Sequence, residues 1–216
     1  TASTLEGVSK ELSESAFFGQ QIIRFDLPLR KERLEIMSMI AARFPAISVD
    51  LEHFSYITHG YRYQEIYKLF YDASCYAVRE KATAITDKHI FEAFHENETG
   101  ARNIGFDTNP TFKINTAYHE AAHALVCHLH PFGRMVDHIS IVDREQVSGL
   151  TVVHRDDYAT VYFGELMGRM AYTLASYIAE KLYGKFLWRS FTCSHDLKSA
   201  NELATKMVCI WGFGKR

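Results

Sequence analysis

One short segment combines residue types and spacing that could do chemistry: His119-Glu120-Ala121-Ala122-His123. On an α-helix, side chains four residues apart lie on one face, so His119 and His123 can bind one metal ion together. Glu120 is rotated by about 100° from His119, which places its carboxylate beside the metal rather than on it. Two imidazole ligands and an adjacent base for a water molecule predict a Zn²⁺-dependent hydrolase.

The residues around this segment predict the helix that must hold it. Asn115 or Thr116 can act as the N-cap, and Pro131 and Gly133 can end the helix. The alanine, leucine and valine residues between them favour helix formation and give it a wide apolar face. The alternative is two histidines and a glutamate on an ordinary helix, because five-residue patterns also arise by chance.

Composition limits the class of protein. The 216 residues can form one large or two modest domains, and a hydrophobic content of 47% excludes a disordered chain. The net charge of −2 argues against a large cationic surface, so we expect no nucleic-acid partner. No apolar stretch reaches the length of a membrane span, and four scattered cysteines favour a reducing compartment, so we expect the chain itself to be soluble. Because it begins at Thr1 and not at methionine, we expect a processed or excised piece.

The apolar spacing predicts mostly helices. Four helices are expected at about 30–44, 49–57, 63–80 and after a cap at Thr86, preceded by a candidate strand at 22–25. Residues 98–111 are interpreted as a linker, and a β-hairpin is expected within 136–154. A long helix over about 160–183 and a last helix from about Ser194 follow; the residues expected to face inward from the long helix are Phe163, Met167, Met170, Leu174 and Ile178. The predicted fold class is mainly α, with a small helical domain followed by a second helical domain that carries the metal motif and a short β-hairpin.

A catalytic zinc usually takes three protein ligands, and the third ligand is open at this point. The carboxylate candidates are Glu145, Glu165, Glu180 and Asp196. Asp196 is the best of them because the start of the last helix could hold it rigidly, yet spacing alone favours a simpler role in stabilising the helix dipole. His195 is a possible substitute ligand or hydrogen-bond donor to a ligand. His128 and His130 are interpreted as surface or packing residues.

Several segments, in order, resemble one family. Thr116-Ala117-Tyr118 followed by the metal motif is similar to the TAYHEAGHA segment of the FtsH-type AAA proteases, which are membrane-anchored, ATP-dependent zinc metalloproteases of bacteria, mitochondria and chloroplasts. Other similar segments are Ser148-Gly149-Leu150-Thr151, Ala179-Glu180 with Leu182-Tyr183-Gly184, and Ser194-His195-Asp196-Leu197 with Ala204, Met207-Val208 and Trp211-Gly212-Phe213. Leu27-Pro28, Arg33, Glu35-Ile36 and residues 60–66 resemble the family's AAA lid.

The resemblance implies roles for individual residues. Zinc would be bound by His119, His123 and Asp196, with Glu120 as the catalytic base. The residues that would bind substrate as an added β-strand are Gly149, Leu150, Thr151, Val152 and Val153. The implied domains are the end of an AAA core at 1–28, an AAA-lid-like domain at 29–103, and an FtsH-like zinc peptidase domain with an incomplete C-terminus at 111–216.

Departures from the family pattern affect the ATPase part most. Residues 12–21 (LSESAFFGQQ) occupy the place of the arginine-finger segment but contain no arginine, and no Gly-rich loop ending in Lys-Ser or Lys-Thr is present. ATPase activity is therefore not expected from this chain. Tyr63 and Gln64 replace two small residues beside the nucleotide base, and Ala122 replaces a glycine in the metal motif. Ala175-Ser176-Tyr177 replaces a pair of glycines and an arginine.

The implied function is the endopeptidase part of an FtsH-like protease that degrades unfolded or membrane proteins. Its partners would be polypeptide substrates and a homo- or hetero-oligomeric ring, which is a hexamer in the family. Membrane association, in a bacterial inner membrane, mitochondrion or chloroplast, would come only from segments absent from this chain. The main alternative is a proteolytically silent subunit that acts as a scaffold or motor component of a hetero-oligomeric ring. A third reading is a stand-alone zinc hydrolase with an inert helical appendage.

Overall fold

The fold is built from helices with two very short sheets. The computed structural model describes residues 7–10, 23, 25–103, 110–155, 157, 162–183 and 193–214. Its elements in chain order are α1 Arg30–Ala41, β1 Ile47–Ser48, α2 Leu51–Ile57, α3 Tyr63–Arg79, β2 Ile85–Thr86, α4 Asp87–Thr99, α5 Pro110–Leu129, β3 Val136–Ser140, β4 Leu150–Val153, α6 Phe163–Tyr183 and α7 Ser194–Thr205, which continues as a π-helical turn Lys206–Ile210. The predicted mainly α class with a short β-hairpin is confirmed.

The first helical unit comprises α1–α4 and packs around an apolar core. Its centre is formed by side chains that recur at helical spacing on each element, namely Met37, Ile40, Phe54, Ile66, Leu69, Phe70, Ala73 and Ile90. The two-residue strands β1 and β2 pair in parallel, with Ile47 opposite Ile85, and join the loops that precede α2 and α4. Strands this short carry no alternating pattern, so the sequence did not predict them. Of the candidate strand at 22–25, residues 22 and 24 lie outside the described part of the chain, and residues 23 and 25 are not in a strand.

The second helical unit comprises α5, the hairpin β3–β4, α6 and α7. Helix α5 begins at Pro110, about one and a half turns before the cap that the sequence predicted at Asn115 or Thr116. Proline suits the first position of a helix because its missing N–H would have no partner there, and Thr116 is instead buried within the helix. The hairpin is antiparallel, with Ser140 opposite Leu150, and its first strand ends before Ile141.

The buried face of α6 differs from the predicted one. Phe163, Met167 and Ile178 are 48%, 41% and 48% exposed, whereas Ala175, Ser176 and Ala179 are buried. Helix α6 packs against α5 and α7, and close approach to α5 requires small side chains. At Gly168 an added Cβ would lie 2.8 Å from the carbonyl oxygen of Phe132. Hydrophobicity misidentified the face because, apart from Leu166, the residues that α6 buries are small or polar.

The two units share one packed interface. Val152 of β4 is buried in the core of the first unit, and Leu150 packs against that core. Arg33 of α1 is 1% exposed, donates from Nε and Nη2 to the carbonyl oxygen of Ser55, and pairs with Asp157 through Nη1 at 2.8 Å. Arg144, in the hairpin connection, pairs with Glu92 of α4 at 2.7 Å. Each buried guanidinium therefore has a carboxylate partner, as burial of a charge requires.

A histidine cluster surrounds one carboxylate at the same interface. The side chain of Asp137 is 2% exposed and lies 3.0 Å from Nε2 of His53, 3.0 Å from Nε2 of His154 and 2.5 Å from Nδ1 of His138. Burial would raise the pKa of Asp137, but the hydrogen bonds from His138 and His154 lower it to about 2. Nε2 of His138 also lies 2.7 Å from Nε2 of His95 on α4, a contact in which one ring must donate and the other accept.

This contact predicts acid sensitivity of the interface. Burial and the neighbouring His138 lower the pKa of His95 from 6.5 to about 4. Between these two pH values the unfolded chain takes up a proton at His95 that the folded chain does not, so stability falls as the pH falls through this window. Thermal unfolding of His95→Asn should depend less on pH between 6.5 and 4 than unfolding of the wild type. His128 is exposed, so His128→Asn should follow the wild type; equal slopes for all three proteins would contradict the prediction.

None of the helices that the structure describes is both long enough and apolar enough to cross a lipid bilayer.

Candidate metal centre

Three side chains from two distant segments converge between α5 and α7. Nε2 of His119 lies 3.2 Å from Nε2 of His123, one helical turn along α5. Oδ2 of Asp196, in the first turn of α7, lies 3.1 Å from Nε2 of His119 and 3.3 Å from Nε2 of His123. The structure thus brings together the three residues that the sequence singled out as ligands, across 73 positions of the chain from His123 to Asp196.

The second nitrogen of each imidazole has its own oxygen partner. Nδ1 of His123 is 2.6 Å from the carbonyl oxygen of Tyr172, and a carbonyl can only accept, so this nitrogen carries the hydrogen. Nδ1 of His119 is 3.3 Å from Oε1 of Glu180, to which it donates. Both oxygens come from α6. Donation at Nδ1 leaves a lone pair on each Nε2, which is the tautomer that a metal ligand needs.

This arrangement fits a tetrahedral zinc ion. Two lone pairs and a carboxylate oxygen face one another within 3.3 Å, and such a set is stable only with a cation or a proton between its members. Ligands about 2.0–2.1 Å from a tetrahedral zinc are separated by about 3.3 Å, close to the three distances found here. Burial opposes protonation of His119, yet the surrounding carboxylates, led by Asp196 and Glu120, raise its pKa above the ordinary value. The site therefore attracts positive charge.

Asp196 is held as a carboxylate. Burial alone would raise its pKa, but the neighbouring imidazoles of His119 and His123 and the hydrogen bond from Ser176 hold the pKa well below the ordinary value. The hydroxyl of Ser176 donates to Oδ2 at 2.8 Å. His195, the neighbouring candidate, is exposed. Of the other carboxylates, Glu165 accepts from the backbone N–H of Tyr162 at the start of α6, and Glu145 lies beside Gly100.

Glu120 lies beside the three convergent atoms and is positioned by the hairpin. It is buried, and its Oε2 accepts a hydrogen bond from Oγ1 of Thr151 at 2.8 Å, while the same hydroxyl also contacts the backbone carbonyl of Glu120 at 3.1 Å. Burial raises the pKa of Glu120 above the ordinary value, and the hydrogen bond from Thr151 and the two imidazoles oppose the shift. A raised pKa makes this carboxylate a stronger proton acceptor.

Because Gly149 has no side chain, there is room beside it for the side chain of Glu120. A Cβ added there would lie 2.8 Å from Cγ and Oε1 of Glu120 and 2.8 Å from Cγ2 of Thr116. Gly149→Ala should therefore displace the carboxylate from its position beside the imidazoles. If Glu120 acts as the base that the resemblance implies, peptide cleavage should fall about 10- to 100-fold, because a displacement of about 1 Å at a catalytic group has an effect of this size. Zinc content measured by elemental analysis should stay at the wild-type level; normal cleavage by Gly149→Ala would contradict the prediction, with Ser148→Ala as the control on the same loop.

The strand predicted to bind substrate lies next to this carboxylate. Thr151 points to Glu120, whereas Leu150 and Val152 pack on the core of the first unit, as alternation along β4 requires. Val153 is paired with Val136. Within the described residues β4 pairs only with β3, so its second edge has no strand beside it.

Sequence reasoning missed the residues behind the ligands. Glu180 had been considered as a ligand, but it lies on the Nδ1 side of His119 together with Cys193, whose Sγ is 3.9 Å from that nitrogen. Burial and the carboxylate of Glu180 raise the pKa of Cys193 to about 12, so the thiol stays protonated at neutral pH. Ser176 carried no signal beyond its place in a segment that departs from the family pattern. Its spacing of four residues from Glu180 could have placed both on one helix face.

Comparison with known proteins identifies the family. The sequence profile of peptidase family M41 matches residues 108–216, which is just over half of the 216-residue chain. The chain belongs to peptidase family M41. The match covers α5–α7 and the hairpin, and so contains His119, Glu120, His123 and Asp196.

Three relatives of this M41 chain are named ATP-dependent zinc metalloproteases. ATP-dependent zinc metalloprotease FtsH 2 of Sphaerobacter thermophilus is 33% identical over 195 residues, which are 88% of this chain and 29% of that protein. The proteins named ATP-dependent zinc metalloprotease FtsH of Syntrophotalea carbinolica and Thermus thermophilus are 32% and 30% identical over 90% and 88% of this chain. The chain spans about 30% of the length of each of these relatives. The resemblance to FtsH-type proteases is confirmed, and the M41 chain is a divergent member.

Proposed function

We propose that this chain is the zinc endopeptidase part of an FtsH-like, ATP-dependent protease, with zinc held by His119, His123 and Asp196. The observation that carries the proposal is the convergence of three ligand atoms within 3.3 Å beside the buried carboxylate of Glu120. The names of the curated relatives support zinc as the metal.

The chain's own residues supply proton transfer and orientation. Bound zinc would polarise the peptide carbonyl and lower the pKa of a water molecule. The carboxylate of Glu120, held by the hydrogen bond from Thr151 to Oε2, takes the proton from the attacking water and delivers it to the leaving amine. The carbonyl of Tyr172 and the carboxylate of Glu180 keep both imidazoles in the tautomer that can bind the metal.

Substrate would bind as an extended chain along β4. Residues 149–153 offer backbone N–H and C=O groups at an edge that no described strand occupies, next to Glu120. Hydrogen bonds to the main chain tolerate many side chains, which suits the degradation of unfolded polypeptides.

The remaining expectations concern the whole protein. We propose the division into an AAA-core end at 1–28, an AAA-lid-like domain at 29–103 and a peptidase domain at 111–216. In this scheme the parent protein forms a ring, a hexamer by analogy with the family, and reaches the membrane through segments other than this one. Its substrates are unfolded or membrane proteins.

Two measurements on the full-length parent protein test the proposal. Elemental analysis should find one zinc per chain, and the assembled protein should cleave casein in a reaction that a zinc chelator stops. Zinc without cleavage in an assembled ring would instead favour a scaffold or motor subunit. Absence of zinc from the purified protein, with no gain of cleavage when zinc is added, would remove the endopeptidase assignment.

A further inference from the structure

One face of α6 supplies a partner to each of the three ligands. Tyr172, Ser176 and Glu180 are spaced four residues apart, so they follow one another along the same side of the helix. The carbonyl of Tyr172 accepts from His123, the hydroxyl of Ser176 donates to Asp196, and the carboxylate of Glu180 accepts from His119. The three contacts measure 2.6, 2.8 and 3.3 Å.

We infer that Ser176 is a positioning residue that holds Asp196 in the geometry required for metal binding. The inference rests on the proposed zinc site and goes beyond it, because Ser176 is neither one of the three proposed ligands nor the proposed base.

Asp196 depends on this partner more than the two imidazoles depend on theirs. The two histidines lie on one helix, whereas Asp196 lies on α7, so its place relative to them depends on how α7 packs against α6. Its Oδ2 atom is the one that faces both Nε2 atoms, and Ser176 donates to that same atom. A carboxylate oxygen has two lone pairs, so Oδ2 can accept the serine hydrogen with one and bind a metal with the other.

The surroundings of Ser176 favour donation of its hydroxyl hydrogen to Asp196. Its exposure is 0%, so water cannot replace the carboxylate as hydrogen-bond partner. A helical serine commonly donates to the carbonyl four residues earlier, which here is the carbonyl of Tyr172. Donation to Asp196 instead leaves that carbonyl available to Nδ1 of His123. Loss of the hydroxyl would therefore release the carboxylate without providing it with another donor.

The experiment compares zinc affinity and zinc-free stability in a set of variants of the full-length parent protein. Ser176→Ala should weaken zinc binding, measured by competition with a chromophoric chelator, about 10- to 100-fold, which is the usual effect of removing an outer partner of a metal ligand. Ser176→Thr keeps the hydroxyl and should bind zinc within about threefold of the wild type, on the same reasoning. Ser55→Ala is the matched control, because Ser55 is a helical serine of 0% exposure far from the site that donates to a backbone carbonyl; its zinc affinity should be unchanged.

Each of the other outcomes contradicts either the inference or the proposed function. If Ser176→Ala binds zinc like the wild type while Asp196→Ala loses it, the inference is overturned and the zinc site stands. The same holds if Ser176→Ala and Ser176→Thr are weakened equally, or if Ser176→Ala lowers only the zinc-free unfolding temperature, as Ser55→Ala would. If the wild type binds zinc no better than Asp196→Ala, the proposed function fails and the inference fails with it.

Discussion

Replacement of Glu120 by glutamine should lower peptide cleavage by about 100- to 10,000-fold, the range that a positioned general base contributes. Glutamine has nearly the same shape and can still accept the hydrogen bond from Thr151, so the hairpin and α5 should keep their places. It cannot accept the proton from water. Because Glu120 is beside the three convergent atoms and is not one of them, zinc content should stay at the wild-type level.

The control for Glu120→Gln is a glutamate-to-glutamine substitution outside the site. Glu202 is exposed on α7, so Glu202→Gln removes one carboxylate without touching the site and should cleave like the wild type. Steady-state cleavage of casein and elemental analysis on the same preparations separate the two effects. Substantial cleavage by Glu120→Gln would exclude Glu120 as the base, and loss of zinc from this variant would place its carboxylate among the ligands.

Replacement of Asp196 by alanine should weaken zinc binding by more than about 100-fold, since loss of a ligand exceeds the cost of losing an outer partner of a ligand. Cleavage should fall with it. Two neutral imidazoles remain, and a pair of ligands on one helix turn does not complete the three that a catalytic zinc usually has. Chelator competition measures the affinity directly.

A matched variant separates this role from a structural one. Asp87 occupies the first turn of α4, as Asp196 occupies the first turn of α7, and each can stabilise its helix through the dipole. Asp87→Ala should destabilise its helix by a comparable amount and leave zinc binding intact. If Asp196→Ala retained zinc and lost only as much stability as Asp87→Ala, the helix-dipole role would explain Asp196 fully.

Sequence patterns predicted the part of the site that lies on a single helix. His119, Glu120 and His123 lie on one helix, and a spacing of four residues determines which side chains share a face whatever the rest of the fold does. The helices α1 to α4 were recognised for the same reason, because each buries large apolar side chains at regular spacing.

Features that depend on tertiary contact were harder to predict. From the sequence, Asp196 could be assigned to the site only through the family resemblance, because its distance along the chain from His123 does not determine where it lies in the fold. The face of α6 was predicted wrongly from Met167 and Ile178, since close packing against α5 favours small residues and contact with the ligands favours polar ones. The same two requirements explain why Ser176 and Glu180 lie inside the protein although neither is apolar.

Two adjacent residues of β4 contact different parts of the molecule, one the first helical unit and the other Glu120. Val152 is embedded among the apolar side chains of α1–α4, and its neighbour Thr151 holds the carboxylate of Glu120. Successive side chains of a β-strand point to opposite faces, so Val152 and Thr151 contact the two parts of the molecule from neighbouring positions. The position of the Glu120 carboxylate is therefore tied, through two neighbouring residues of β4, to the packing of the first helical unit.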